Sequence, residues 1–150
     1  MQKLVKFITS FFYLGHSPIT PGTFGSLGGV AVYYLVRSNV ILYAFTIFFL
    51  FMLGWLFTAE AERIYKSKDA KMIVIDEASG MLLALFCVPY SLACIIAGFI
   101  LFRVFDITKV PPARQLEKFT GAYGVMLDDV IAAVYTNIIL QLVFRVILPR

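Results

Sequence analysis

The side chains of this chain that could do chemistry fall into three charged clusters and one glycine-rich segment. Asp76 and Glu77 stand side by side early in an apolar run, Arg103, Asp106 and Lys109 close a second, and Asp128 and Asp129 open a third. Clustered carboxylates beside apolar segments bind a hard cation, relay protons or pair with basic groups. Asp76, Glu77, Asp106, Asp128 and Asp129 offer oxygen ligands only. His16 is the single histidine, and Cys87 and Cys94 lie in apolar runs as packing residues, so a zinc or iron site lacks its ligands. Magnesium suits the set, because a few carboxylates, water and substrate phosphate hold it. Without a cation, five carboxylates in one mouth repel each other and some stay protonated.

The segment Pro21-Gly22-Thr23-Phe24-Gly25-Ser26 supplies the complementary half. Its glycines free backbone N–H groups, Thr23 and Ser26 offer hydroxyls, and a helix N-terminus follows, which suits an anion such as phosphate. Arg103 and Lys109 add cationic contacts. Taken singly, most of these features have ordinary structural uses. Asp128 and Asp129 in the first turn of a helix would complement its dipole. Arg103 and Asp106 at i,i+3 would make a plain ion pair, Pro21-Gly22 a turn and Ser26 a helix cap. His16 reads as an ordinary loop residue. An adjacent acidic pair inside an apolar run, like Asp76-Glu77, is harder to explain that way.

The elements that carry these residues are membrane-like. Of 150 residues, 61% are hydrophobic and only 15% charged, against about a quarter charged in soluble domains. The mean hydropathy is +0.88. Leu4 to Leu14 is too short to span a bilayer and, with Lys3 and Lys6 leading, reads as an N-terminal interfacial helix rather than a cleavable signal. Apolar spans are predicted over Ser26 to Val36, Val40 to Ala59, Met72 to Val88, Tyr90 to Phe102 and Val125 to Leu148. The fold class is therefore all-α: a single domain over residues 1–150, a polytopic helical bundle of about five membrane-embedded helices plus the interfacial one.

Threading the spans back and forth places the Pro21 segment, Asp76-Glu77, Arg103 to Lys109 and Asp128-Asp129 on one face. Of the 13 Lys and Arg residues, all but Arg37, Arg145 and Arg150 fall there too, Lys71 and Lys118 among them. Excess Lys and Arg marks the cytoplasmic side, so the site should face the cytosol. The net charge of +4 then reports loops beside an anionic leaflet and not a nucleic-acid partner. The sequence leaves room for an oligomer.

Four motifs in order carry a resemblance: Pro21-Gly22-Thr23-Phe24-Gly25-Ser26-Leu27, Asp76-Glu77 followed by Gly80-Met81, Phe102-Arg103-x-x-Asp106-x-x-Lys109, and Gly124-Val125-Met126-Leu127-Asp128-Asp129. From about Gly15 to the last span the chain resembles the phosphatidylglycerophosphatase A family. It departs at Val110, where the family usually has proline, and at Ala133, where a glycine is usual. The resemblance implies a magnesium-dependent membrane phosphatase of the bacterial cytoplasmic (inner) membrane. Such an enzyme converts its phospholipid substrate, phosphatidylglycerol phosphate, to phosphatidylglycerol and inorganic phosphate.

On that reading Asp76, Glu77, Asp106, Asp128 and Asp129 are the metal ligands, and Asp106, Asp128, Asp129 and Lys109 are catalytic. Gly22, Thr23, Ser26, Arg103 and Lys109 bind the phosphate. An aspartyl-phosphate on Asp106 or Asp128 is the mechanistic alternative to attack by water. The alternative function is a cation- or proton-coupled transport protein using the same carboxylates, which would place acids at mid-membrane in two related halves. No repeat is visible, and the long Asp-rich signature of CDP-alcohol phosphotransferases is absent.

Overall fold

The computed structural model describes residues 1–116, Phe119 and residues 122–147; Lys118, Leu148 and Arg150 lie outside them. Among the described residues every regular element is helical. The order is α1 (Gln2–Thr9), a 3-10 turn (Leu14–His16), α2 (Pro21–Val36), α3 (Val40–Tyr65), α4 (Ile75–Ala84), α5 (Leu92–Thr108), α6 (Ala113–Leu116) and α7 (Ala122–Gln141). A π-helical turn, Leu142–Ile147, continues α7.

Local chemistry sets the boundaries. Asn39 caps α3, its side chain accepting from the Ile41 and Leu42 amides at 3.1 and 3.0 Å. Ser91 caps α5 through the Cys94 amide. Lys66 and Lys109 close α3 and α5 in the left-handed conformation. Pro21 stands at the first helical position of α2, where its missing N–H costs nothing. The turn expected at Pro21-Gly22 is therefore the first turn of a helix, and Ser26 lies inside α2 rather than capping it.

Helix α4 is the centre of the bundle. Ile75, Ala78, Met81 and Leu82 are fully buried, and α2, α3, α5 and α7 all pack on it. Close approach of α2 depends on glycine. A Cβ on Gly25 would stand 2.7 Å from the Val74 side chain, and one on Gly29 would stand 2.6 Å from the Ala78 carbonyl oxygen.

Five membrane-embedded helices are predicted, but among the described residues two helices are long and apolar enough to cross a bilayer: α3, and Ala122–Arg145 comprising α7 and its extension. Helices α2 and α5 have 16 and 17 residues. The predicted span over Met72 to Val88 is instead a 10-residue helix, about 15 Å long. It stops early because α7 receives its carbonyl end. Asn137 Nδ2 donates to the carbonyls of Ala84 and Phe86 at 3.0 and 2.8 Å, Gln141 reaches the Cys87 carbonyl, and Arg145 bonds the same oxygen. These residues recur every four along one helix face, so one stripe satisfies groups that otherwise lack partners.

Candidate active site

The start of α2, the start of α4, the end of α5 and the first turns of α7 meet at one end of the bundle around a cavity of about 760 Å³. The predicted threading is realised in this respect: all five predicted carboxylates, Gly22, Arg103 and Lys109 line this space. A second cavity of about 220 Å³, lined by Arg37, Tyr43 and Cys87, lies at the opposite end.

Asp76 and Glu77 occupy the first turn of α4, where the helix dipole favours negative charge. Asp128 and Asp129 do not share that advantage. Helix α7 begins by Ala122, so the pair lies beyond its first turn, contrary to the sequence expectation. Asp76, Asp128 and Asp129 are nevertheless only 6%, 4% and 3% exposed. Buried carboxylates away from a helix start need another partner.

The five carboxylates divide by partner. Arg103 pairs with Asp106 at 2.7 Å and approaches Glu77 at 3.9 Å, and Lys109 pairs with Asp128. Burial would lower the Lys109 pKa, but the bond to Asp128 and its charge outweigh that, so the ammonium titrates above its ordinary range. Asp76, Glu77 and Asp129 form the other group. One carboxylate oxygen of each lies within 4.8 Å of the others, and Asp76 Oδ1, Glu77 Oε2 and Asp129 Oδ2 are buried with no hydrogen-bond partner among the described residues. Asp106 links the groups, being within reach of Asp129 as well as Arg103.

Electrostatics agrees with that division. Burial, then the charges of Glu77 and Asp129, hold the Asp76 carboxyl well above its usual range. Burial pushes Glu77 up to about 7; its bond to Asp76 opposes the rise, Asp106 adds to it and Arg103 opposes it. Three converging carboxylates with unpaired buried oxygens fit a hard divalent cation. The donor set is of the hard-oxygen kind that magnesium takes.

The glycine-rich segment reaches the cavity at Gly22 alone of its three predicted phosphate ligands. A Cβ there would meet the Glu77 carboxylate and lie 3.1 Å from the guanidinium nitrogens of Arg103. Thr23 and Ser26 do not line the cavity. The Ser26 hydroxyl donates to the Gly22 carbonyl at 3.0 Å and accepts from Arg103 at 3.5 Å, so it touches the site through the arginine.

His16, Asp69 and Lys71 also line the cavity, and no motif in the sequence singles them out. They belong to polar connections, Gly15 to Pro18 and Lys68 to Lys71, that carry no periodicity. The one available signal is that both connections fall on the same face as the acids.

The sequence profile of the family described as phosphatidylglycerophosphatase A matches residues 7–144. Among curated relatives, a Haemophilus influenzae protein named phosphatidylglycerophosphatase A is 37% identical over 79% of this chain and 76% of its own length. An Escherichia coli K12 protein of the same name is 32% identical over 88% and 78%. A Bacteroides thetaiotaomicron protein named "Putative phosphatidylinositol-3-phosphatase" is 35% identical over 86% of each chain. No solved structure matches the chain.

Proposed function

The chain belongs to the phosphatidylglycerophosphatase A family, and from that premise we propose that it hydrolyses the terminal phosphomonoester of phosphatidylglycerol phosphate at the cytosolic membrane face with magnesium. The observation that carries the metal assignment is the trio Asp76, Glu77 and Asp129, which converge and each of which has one buried oxygen without a hydrogen-bond partner among the described residues. Charge balance supports it. Among the described residues six carboxylates line the cavity against three Lys and Arg side chains, an arrangement that repels a phosphate dianion unless a cation intervenes.

The residues then divide the work. Asp76, Glu77 and Asp129 would hold the metal, with Asp106 at its edge. A bound divalent cation supplies charge neutralisation at the phosphate and a more acidic water. Arg103 and Lys109 grip the phosphoryl oxygens and oppose the charge that develops there. Asp106 and Asp128 hold those two cations in place, and the raised pKa of Lys109 keeps its ammonium charged. The Gly22 backbone closes the wall beside the guanidinium. Water attacks phosphorus, the bond from phosphorus to the glycerol oxygen breaks, and that oxygen leaves with a proton.

Helices α3 and α7 carry the chain across the bilayer, with α2, α4 and α5 packed alongside, and the turn after α4 brings Cys87 to the end opposite the site. Acyl chains lie against the apolar outer faces, and the headgroup enters from the cytosol. The Bacteroides relative's name motivates a second substrate, phosphatidylinositol 3-phosphate, whose phosphate is also a monoester. The test is phosphate release by purified protein in detergent from both lipids, with magnesium and with excess chelator. The proposal predicts magnesium-dependent release that favours phosphatidylglycerol phosphate. Equal release in chelator overturns the metal assignment, and preference for the phosphoinositide overturns the substrate.

A further inference from the structure

We propose that Lys71, with His16 beside it, forms an outer subsite that binds the phosphodiester of the lipid substrate. The site would thereby select lipids whose scissile phosphomonoester is carried beyond a diester phosphate. The inference rests on the phosphatase reading above and extends it to substrate choice.

The space itself asks for a second contact. A volume of about 760 Å³ lies in the ~300–1,000 Å³ range of sites that enclose whole small molecules, well beyond one phosphate. The cations at its acidic end are already engaged, Arg103 with Asp106 and Lys109 with Asp128. Lys71 lines the same cavity, is exposed and has no carboxylate partner among the described residues. A diester phosphate carries a single negative charge and would be repelled by the carboxylate trio. It must rest away from them, and a compact ammonium with an imidazole N–H nearby suits it.

The backbone is arranged to bring those two residues to one cavity. Phe11, Phe12 and Tyr13 are consecutive left-handed residues, with φ of 45°, 58° and 66°, a strained run that persists only where its surroundings impose it. It leads into the 3-10 turn that ends at His16. That turn is pressed against the segment before α4: a Cβ on Gly15 would run into the backbone carbonyl of Met72, and the Val74 amide donates to the Thr9 carbonyl at 2.9 Å. Close backbone packing of the two connections brings His16 and Lys71 to the same cavity, and the Tyr13 ring, 5.4 Å away, flanks the imidazole.

The reaction's products separate the two subsites, since phosphatidylglycerol keeps the diester and inorganic phosphate represents the monoester. In Lys71→Ala, inhibition by phosphatidylglycerol should weaken about tenfold, the loss of one charge-assisted hydrogen bond. KM for phosphatidylglycerol phosphate should rise in step, while kcat and inhibition by inorganic phosphate hold, and Lys71→Arg should recover most of the loss. Unchanged inhibition by phosphatidylglycerol overturns the subsite, as does equal weakening for both products. A wild-type protein that releases no phosphate from the lipid removes the phosphatase reading, and this inference with it.

Discussion

At the scale of single residues, the site is a sorting of acids by partner. Asp106 and Asp128 neutralise Arg103 and Lys109, whereas Asp76, Glu77 and Asp129 converge, each with one buried oxygen left unpaired among the described residues. A stability dependence on pH follows for the metal-free protein. Glu77 titrates in the folded state near 7, above its ordinary 4.5, so between those values the native state binds more protons than the unfolded chain. Stability in chelator should therefore fall as pH rises from about 5 to about 8. With magnesium present the ionised carboxylates gain a partner, and the fall should flatten or reverse. Thermal unfolding in detergent across that range checks this, and identical slopes with and without magnesium would contradict it. The identities of all five acids were legible in the sequence, since charge inside apolar runs stands out. Their division was not, because Asp106 and Asp128 differ from the others only in which cation the fold sets beside them.

At the scale of elements, the site depends on a helix that is held short. Helix α4 delivers Asp76 and Glu77 at its start and ends ten residues on, its carbonyls received by Asn137, Gln141 and Arg145. Asn137→Leu removes the donor to Ala84 and Phe86 while keeping the side chain's size. Stability should fall by about 1–3 kcal/mol for the unpaired carbonyls, seen as a lower Tm in detergent. Because α4 carries two of the three converging acids, the affinity for magnesium should weaken as well; an unchanged Tm would show that water or lipid replaces the amide. The sequence shows the apolar run over Met72 to Val88 but not that it breaks at Ala84. The residues that end the helix lie more than fifty positions away, on α7. The opposite error occurs at α2, where a proline and two glycines read as loop yet open a helix, since proline suits its first position and the glycines serve packing. Asp128 and Asp129 likewise moved out of the first turn once α7 began by Ala122.

At the scale of the whole molecule, the two ends differ in chemistry. One holds the acidic cavity; the other holds Arg37 stacked on the Tyr90 ring at 3.9 Å and the exposed Cys87. Cys94 is buried, so Cys87 is a natural reporter of orientation. The proposed topology predicts that a membrane-impermeant maleimide added to intact spheroplasts modifies Cys87. In a Cys87→Ser background, a Lys68→Cys variant should react only after the membrane is opened. The reverse pattern would place the site outside the cytosol. That the acids gather at one end of the bundle was legible in the sequence, because each charged cluster opens or closes an apolar run and the runs fold back on one another. The number of crossing helices did not follow: hydropathy cannot distinguish a buried half-length helix from a spanning one when both are apolar.

The central claim is that the converging carboxylates of Asp76, Glu77 and Asp129 hold the metal on which hydrolysis depends. Its most direct test is the magnesium dependence of phosphate release from phosphatidylglycerol phosphate, compared between wild type and Asp129→Asn. Losing one of three ligands should raise the magnesium concentration for half-maximal turnover at least about tenfold, the scale of one charge-assisted contact. It should also lower the rate at saturation. Coincident magnesium curves and equal maximal rates for the two proteins would contradict the account.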